Sequence, residues 1–138
     1  MSTYTISSGV TSEGITLNDD TMYVLNGGTV IDTIVDRAGF LDVKGLASST
    51  TVKNGGYAQA SGGNGVITGM DVQSGGSAFL YYASANDVTI QGGGQLQVHW
   101  GAAANDLTMF RDGVLIGWDG QIKFRLDSGV DMSWTVIA

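Results

Sequence analysis

His99 is the only histidine in this chain, it stands beside Trp100, and there is no cysteine. Tyr81-Tyr82 lies 18 residues before that pair and Trp118-Asp119 lies 19 after it, so three aromatic steps recur at nearly one spacing. Five rings and a carboxylate brought to one place suit stacking on sugar faces or burial under a partner surface. The same rings read equally well as a ladder that shields a corner or packs under a cap. Catalysis has thinner support. A histidine acts as a base only with a nucleophile in reach and a third group to orient it, and no such order surrounds His99. Arg111-Asp112 sits in Phe110-Arg111-Asp112-Gly113, which reads as a turn. We therefore expect no catalytic residues and no enzyme. A second set holds Asp32, Asp87 and Asp106, with Asn86 and Asn105 beside the last two. Calcium takes six to eight oxygen ligands of this kind, but Asn and Asp equally cap their own turns. Gly62-Gly63-Asn64-Gly65-Val66-Ile67 does not meet the calcium nonapeptide pattern. No metal and no cofactor are expected.

Whatever chemistry is present must act from an acidic chain of 138 residues, with Lys+Arg 6 against Asp+Glu 13 and a net charge of −7. Nucleic-acid affinity rests on neutralising phosphates with Lys and Arg, so nucleic acid is not an expected partner. No apolar run approaches the ~18 residues of a membrane helix, and no membrane insertion is expected. Met1-Ser2-Thr3-Tyr4-Thr5 lacks a secretory signature, so an export signal, if one is used, lies outside this sequence. Without cysteine there is no disulfide framework, no Cys-ligated metal and no thiol nucleophile. The hydrophobic share of 43% is enough for a core, and length and composition fit one domain over residues 1–138.

The elements that would position these residues come from a repeat. Thr51-Val52-Lys53-Asn54-Gly55-Gly56-Tyr57-Ala58-Gln59-Ala60-Ser61-Gly62-Gly63 is one copy: a short alternating run, a glycine turn, a second run and a second turn. The last apolar residue of the first run falls at Leu17, Val35, Val52, Val72, Ile90 and Met109. That of the second falls at Val24, Val43, Ala60, Leu80, Val98 and Gly117. Both series drift together around 18–19 residues per coil. Thr/Val/Ile alternation reads as strand, and Asn-Gly-Gly, Ser-Gly-Gly and Gly-Gly-Gly read as turns that need positive φ. A third stretch of about five residues, such as Ser48-Ser49-Thr50, must return the chain above its start. The expected fold is all-β: a single-stranded parallel β-helix, or β-solenoid, of 6–7 coils. Repeats span about 4–119, and residues 120–138 are expected to form a C-terminal cap. Inward positions include Ile34 or Thr33 with Val35, and Ala58 with Ala60 marks a narrower or compensated coil.

Tyr4-Thr5-Ile6-Ser7-Ser8-Gly9, Met22-Tyr23-Val24-Leu25-Asn26-Gly27-Gly28-Thr29 and Val72-Gln73-Ser74-Gly75-Gly76 resemble the AIDA-type repeats of bacterial autotransporter adhesin passengers. The resemblance runs from about Tyr4 to Gly117. It implies a right-handed coil, a bacterial cell-surface or secreted location, and adhesion or autoaggregation. It also implies serine O-heptosylation by a heptosyltransferase, with Ser61 and Ser74 as acceptors and Ser8 as a weaker one. The leading expectation is a non-enzymatic module that binds itself as a homo-oligomer, or a host or glycan surface, through Tyr81, Tyr82, His99, Trp100, Trp118 and Asp119. The alternatives are a carbohydrate-binding or carbohydrate-acting β-helix that uses the aromatic corner, and a scaffold for heptosylation.

Overall fold

The computed structural model describes residues 2–62, 65–117 and 119–124, with the side chain of Phe124 excepted. Trp118 and most of the expected cap lie outside the described residues. Two parallel sheets account for the fold, and no helix occurs among the described residues. The first sheet holds seven strands, Thr3–Ile6, Thr21–Val24, Phe40–Val43, Tyr57–Ser61, Ser77–Tyr81, Gln95–Val98 and Val114–Gly117. The second holds Thr11–Glu13, Thr29–Val35, Leu46–Val52, Val66–Val72, Ser84–Ile90, Ala103–Met109 and Gln121–Phe124, with Thr16–Leu17 also paired to Thr29–Val35. Successive strands of each sheet come from successive coils, about six in all. The chain is a β-solenoid, and Gln121–Phe124 continues its second sheet beyond the last aligned repeat.

Registers explain the sequence period. Leu41 pairs with Ala58, Ala58 with Ala78, Ala78 with Leu96 and Leu96 with Leu115, so one inward column crosses five coils. Inward residues such as Leu17, Leu41, Val52, Leu80, Ile90 and Leu96 are wholly buried. One coil encloses little by itself, and only stacking removes both faces of its inward side chains from water. Ala58 and Ala60 share their coil with the large buried Ile67 and Met70. Bulk on the second sheet thus compensates for the small first-sheet side chains.

The third stretch of each coil differs from expectation. Ser48-Ser49-Thr50 is not a separate return segment but part of the seven-residue strand Leu46–Val52. Its centre is bent at Ser49, whose φ is 57°. Gly14, Asp32, Gly69, Asp87 and Asp106 have positive φ at the equivalent place in their own coils. A left-handed residue in each of the five seven-residue second-sheet strands turns it through a corner, and short polar Asp and Ser tolerate that backbone better than apolar residues do. This accounts for the Asp32, Asp87 and Asp106 column as a backbone device. The bend also shifts the alternation by one step, so Thr33 points inward at 1% exposure and Ile34 does not.

Candidate functional site

Side chains on the outer face of the first sheet stand in line because in-register parallel strands put equivalent residues ~4.8 Å apart. Phe40 and Tyr57 are register partners, and their ring centroids are 5.2 Å apart. Tyr57 stacks on Phe79 at 4.7 Å and 19°, and Tyr81 stacks on His99 at 4.3 Å and 26°. Phe79 lies 6.3 Å from both Tyr81 and His99, and Tyr23 meets Phe40 edge-on at 6.4 Å. The row therefore climbs five coils from Tyr23 to His99, crossing the face diagonally. Sequence alignment places the aromatic patch in the C-terminal half only; the structure extends it to Tyr23. The extension is hidden in sequence because its rings occupy two outward columns, Tyr23 with Phe79 and Phe40 with Tyr57, that differ from the column of Tyr81 and His99.

Polar groups are bound into this face. Asp42, 8% exposed, accepts hydrogen bonds from Ser61 Oγ at 3.2 Å and Gln59 Nε2 at 3.5 Å. Tyr57 Oη donates to Gln59 Oε1 at 3.3 Å. Burial raises the Tyr57 phenol above its ordinary range, helped by Tyr81 and Asp42. His99 Nε2 lies 3.0 Å from Gln97 Oε1, and burial holds its pKa below the ordinary imidazole value. Stacked rings turn their faces toward one another and their edges to water. Tyr81 and His99 thus belong to a ladder.

Tyr82 and Trp100 stand apart from it, at the corner that follows the first sheet, and they are 59% and 55% exposed. Trp100 Nε1 donates to Asp119 Oδ2 at 3.0 Å, and the Tyr82 amide donates to Trp100 O at 3.1 Å. Tyr82 has φ 51°, a conformation that costs a bulky residue about 1–3 kcal/mol. Its ring lies over Gly101, where a Cβ would collide with Tyr82 Cδ1. The expected five-ring corner is thus two groups: Tyr81 and His99 in the ladder, and Tyr82, Trp100 and Asp119 at the corner.

On the second sheet, Gly69 is a bend residue without a side chain, between Ser49 and Asp87 in the coils on either side. An open hollow of about 400 Å³ lies there, lined by Asp32, Ser49, Thr51, Asp71, Asp87 and Thr89 among others. Asp71 accepts from Gln73 Nε2 at 3.3 Å and Gln91 Nε2 at 3.0 Å. Asn105 Nδ2 donates to Asn86 Oδ1 at 3.0 Å, one coil apart. No group of three or more His, Asp or Glu among the described residues could hold a metal ion. Of the serines, Ser8 and Ser74 are exposed in turns, each beside a glycine of the next coil, while Ser61 is half-buried and bonded to Asp42.

Fold and surface define an all-β parallel solenoid with one aromatic face. No protein-family model and no curated protein matches the chain. A crystal structure of a TibC-catalysed, hyper-glycosylated TibA fragment is similar to it, with 21% sequence identity and a TM-score of 0.44. That likeness covers 99% of this chain and 71% of the other.

Proposed function

We propose that this chain is a non-enzymatic β-solenoid module of an adhesin-like bacterial surface or secreted protein, acting by adhesion or self-association. The observation that carries this reading is the continuous aromatic row from Tyr23 to His99 on the outer face of the first sheet. Leu25 and Val114 add exposed apolar surface to that side, 39% and 37% exposed. A contiguous apolar strip rimmed by polar groups marks a surface built for contact. Self-association should appear as a mass that rises with concentration in light scattering, and as clumping of beads coated with the protein. Tyr23→Ser with Leu25→Ser should weaken both while the melting temperature holds. A monomer at every concentration, with no bead clumping and no adherence to cells, would overturn this reading.

Exposure of Ser8 and Ser74 in their turns favours a second reading, as an acceptor for serine O-heptosylation. Co-expression with a heptosyltransferase should then raise the intact mass by whole heptose units, located at Ser74 before Ser61. An unchanged mass removes this reading.

A further inference from the structure

The corner built from Tyr82, Trp100 and Asp119 has features that the ladder beside it lacks. Leu80 to Ser84 takes four residue steps and Gly117 to Gln121 takes four, whereas Val98 to Ala103 takes five, although all three pairs hold equivalent registers. This corner is thus one residue longer than those directly before and after it, within a range of three to six steps set by Val43 to Leu46 and Ala60 to Val66. Gly101, with φ 70°, leaves room for the Tyr82 ring. Tyr82 is held in a left-handed backbone that its bulk disfavours. Trp100 is tethered through its indole N–H to Asp119 Oδ2. A strained backbone and a tether converge on two aromatic rings, and both rings remain more than half exposed.

From this geometry we infer a pre-organised carbohydrate site, in which the Trp100 and Tyr82 rings receive the C–H faces of hexopyranose units. It names a partner class for the adhesive module proposed above, and so rests on that reading. Rings with tethered positions lose little freedom on binding, which is how weak stacking contacts become useful affinity. One Asp119 oxygen holds the indole, and the carboxylate's remaining acceptor sites can take sugar hydroxyls. A corner carboxylate on a chain of net charge −7 disfavours uronates and sialic acids, so the ligand class is neutral glycans. Because consecutive coils carry the two rings, the site suits adjacent sugars along a chain rather than one monosaccharide.

Titrating the full chain with cellohexaose, mannohexaose, laminarihexaose and a sialylated oligosaccharide, by calorimetry and ligand-observed NMR, tests this. At least one neutral hexasaccharide should bind with little dependence on salt, and the sialylated one should not. Trp100→Ala should abolish that binding, and Tyr82→Ala should weaken it about tenfold or more. Trp100→Phe, which keeps a ring but loses the Asp119 tether, should retain part of it and shows that loss in the alanine variant is not unfolding. No binding by any neutral oligosaccharide, or binding unchanged in Trp100→Ala, overturns the site. Self-association measured on the same variants keeps the two ideas separate. If Trp100→Ala abolishes self-association and no glycan binds, the corner is a protein interface, and the glycan site fails while the adhesive reading stands.

Discussion

At Gly56 an added Cβ would fall inside the contact radius of Val35 O, and at Gly39 inside that of Leu17 O, because each approaches the backbone of the coil below. At Gly9 nothing lies within 4 Å, and only its φ of 83° opposes a side chain. Two kinds of glycine thus look identical in sequence and differ in physics. Gly56→Ala should destabilise by about 3 kcal/mol, since a rigid neighbouring carbonyl must move. Gly9→Ala should lose about 1 kcal/mol, the backbone term alone. Denaturant midpoints at equal m-value would measure both; similar losses at the two sites would show that the close approach is not restrictive. The turns are legible in sequence because glycine, paired at 27–28, 55–56, 62–63, 75–76 and 92–94 and single elsewhere, recurs between the alternating runs. Sequence alone leaves Thr33 and Ile34 undecided because the left-handed residue at Asp32 shifts the alternation, and nothing local in Thr-x-Val betrays that shift.

Strands place the rings, and the ladder gives the first sheet a titrating end. His99 stacks on Tyr81 and near Phe79, with Gln97 on its ring nitrogen. Its folded-state pKa lies below the ordinary value of 6.5 because burial penalises the cation. Above pH 6.5 the ring is neutral in both folded and unfolded chains and contributes no pH dependence. Below it the unfolded chain takes up a proton more readily than the folded one, so stability falls as pH drops toward the folded-state pKa. Melting temperatures at pH 7.5 and 5 should therefore drop more in the parent than in His99→Phe, which keeps a ring in the ladder. Equal drops would mean that His99 is not held by its neighbours. The ladder is only partly legible in the sequence. Alignment on inward residues gathers Tyr81 and His99 into one column and Phe40 and Tyr57 into another, but Tyr57 and Phe79 lie in different columns and meet only through diagonal packing across coils. The corner pair is visible in sequence as Tyr82 and Trp100, whereas its separation from the ladder depends on the left-handed backbone at Tyr82.

The molecule as a whole is a one-dimensional stack, in which each coil is bound to the coil before it and the coil after it. Stability in such an array is a sum of coil and interface terms, and length is negotiable so long as register survives. Ser77 pairs with Gln95 and Ala85 with Ala104, so removing residues 77–94 joins Gly76 to Gln95 at equivalent places of adjacent coils. The shortened chain should fold, keep its β-sheet circular dichroism and melt cooperatively at a lower temperature. It loses Phe79, Tyr81 and Tyr82 but no inward column is shifted. Removing residues 77–85 instead deletes half a coil. It joins a first-sheet turn to the middle of a second-sheet strand, so inward residues of one sheet would have to serve the other. That variant should be unfolded or aggregated. If the whole-coil deletion also fails to fold, stability is not additive along the stack, and the coil around Ala85 and Ile90 carries contacts that its neighbours cannot replace. If both fold equally well, inward and outward positions are less distinct than the buried columns make them. The contrast between the two deletions, read from one melting experiment each, therefore tests whether the repeat is the unit of stability as well as of sequence.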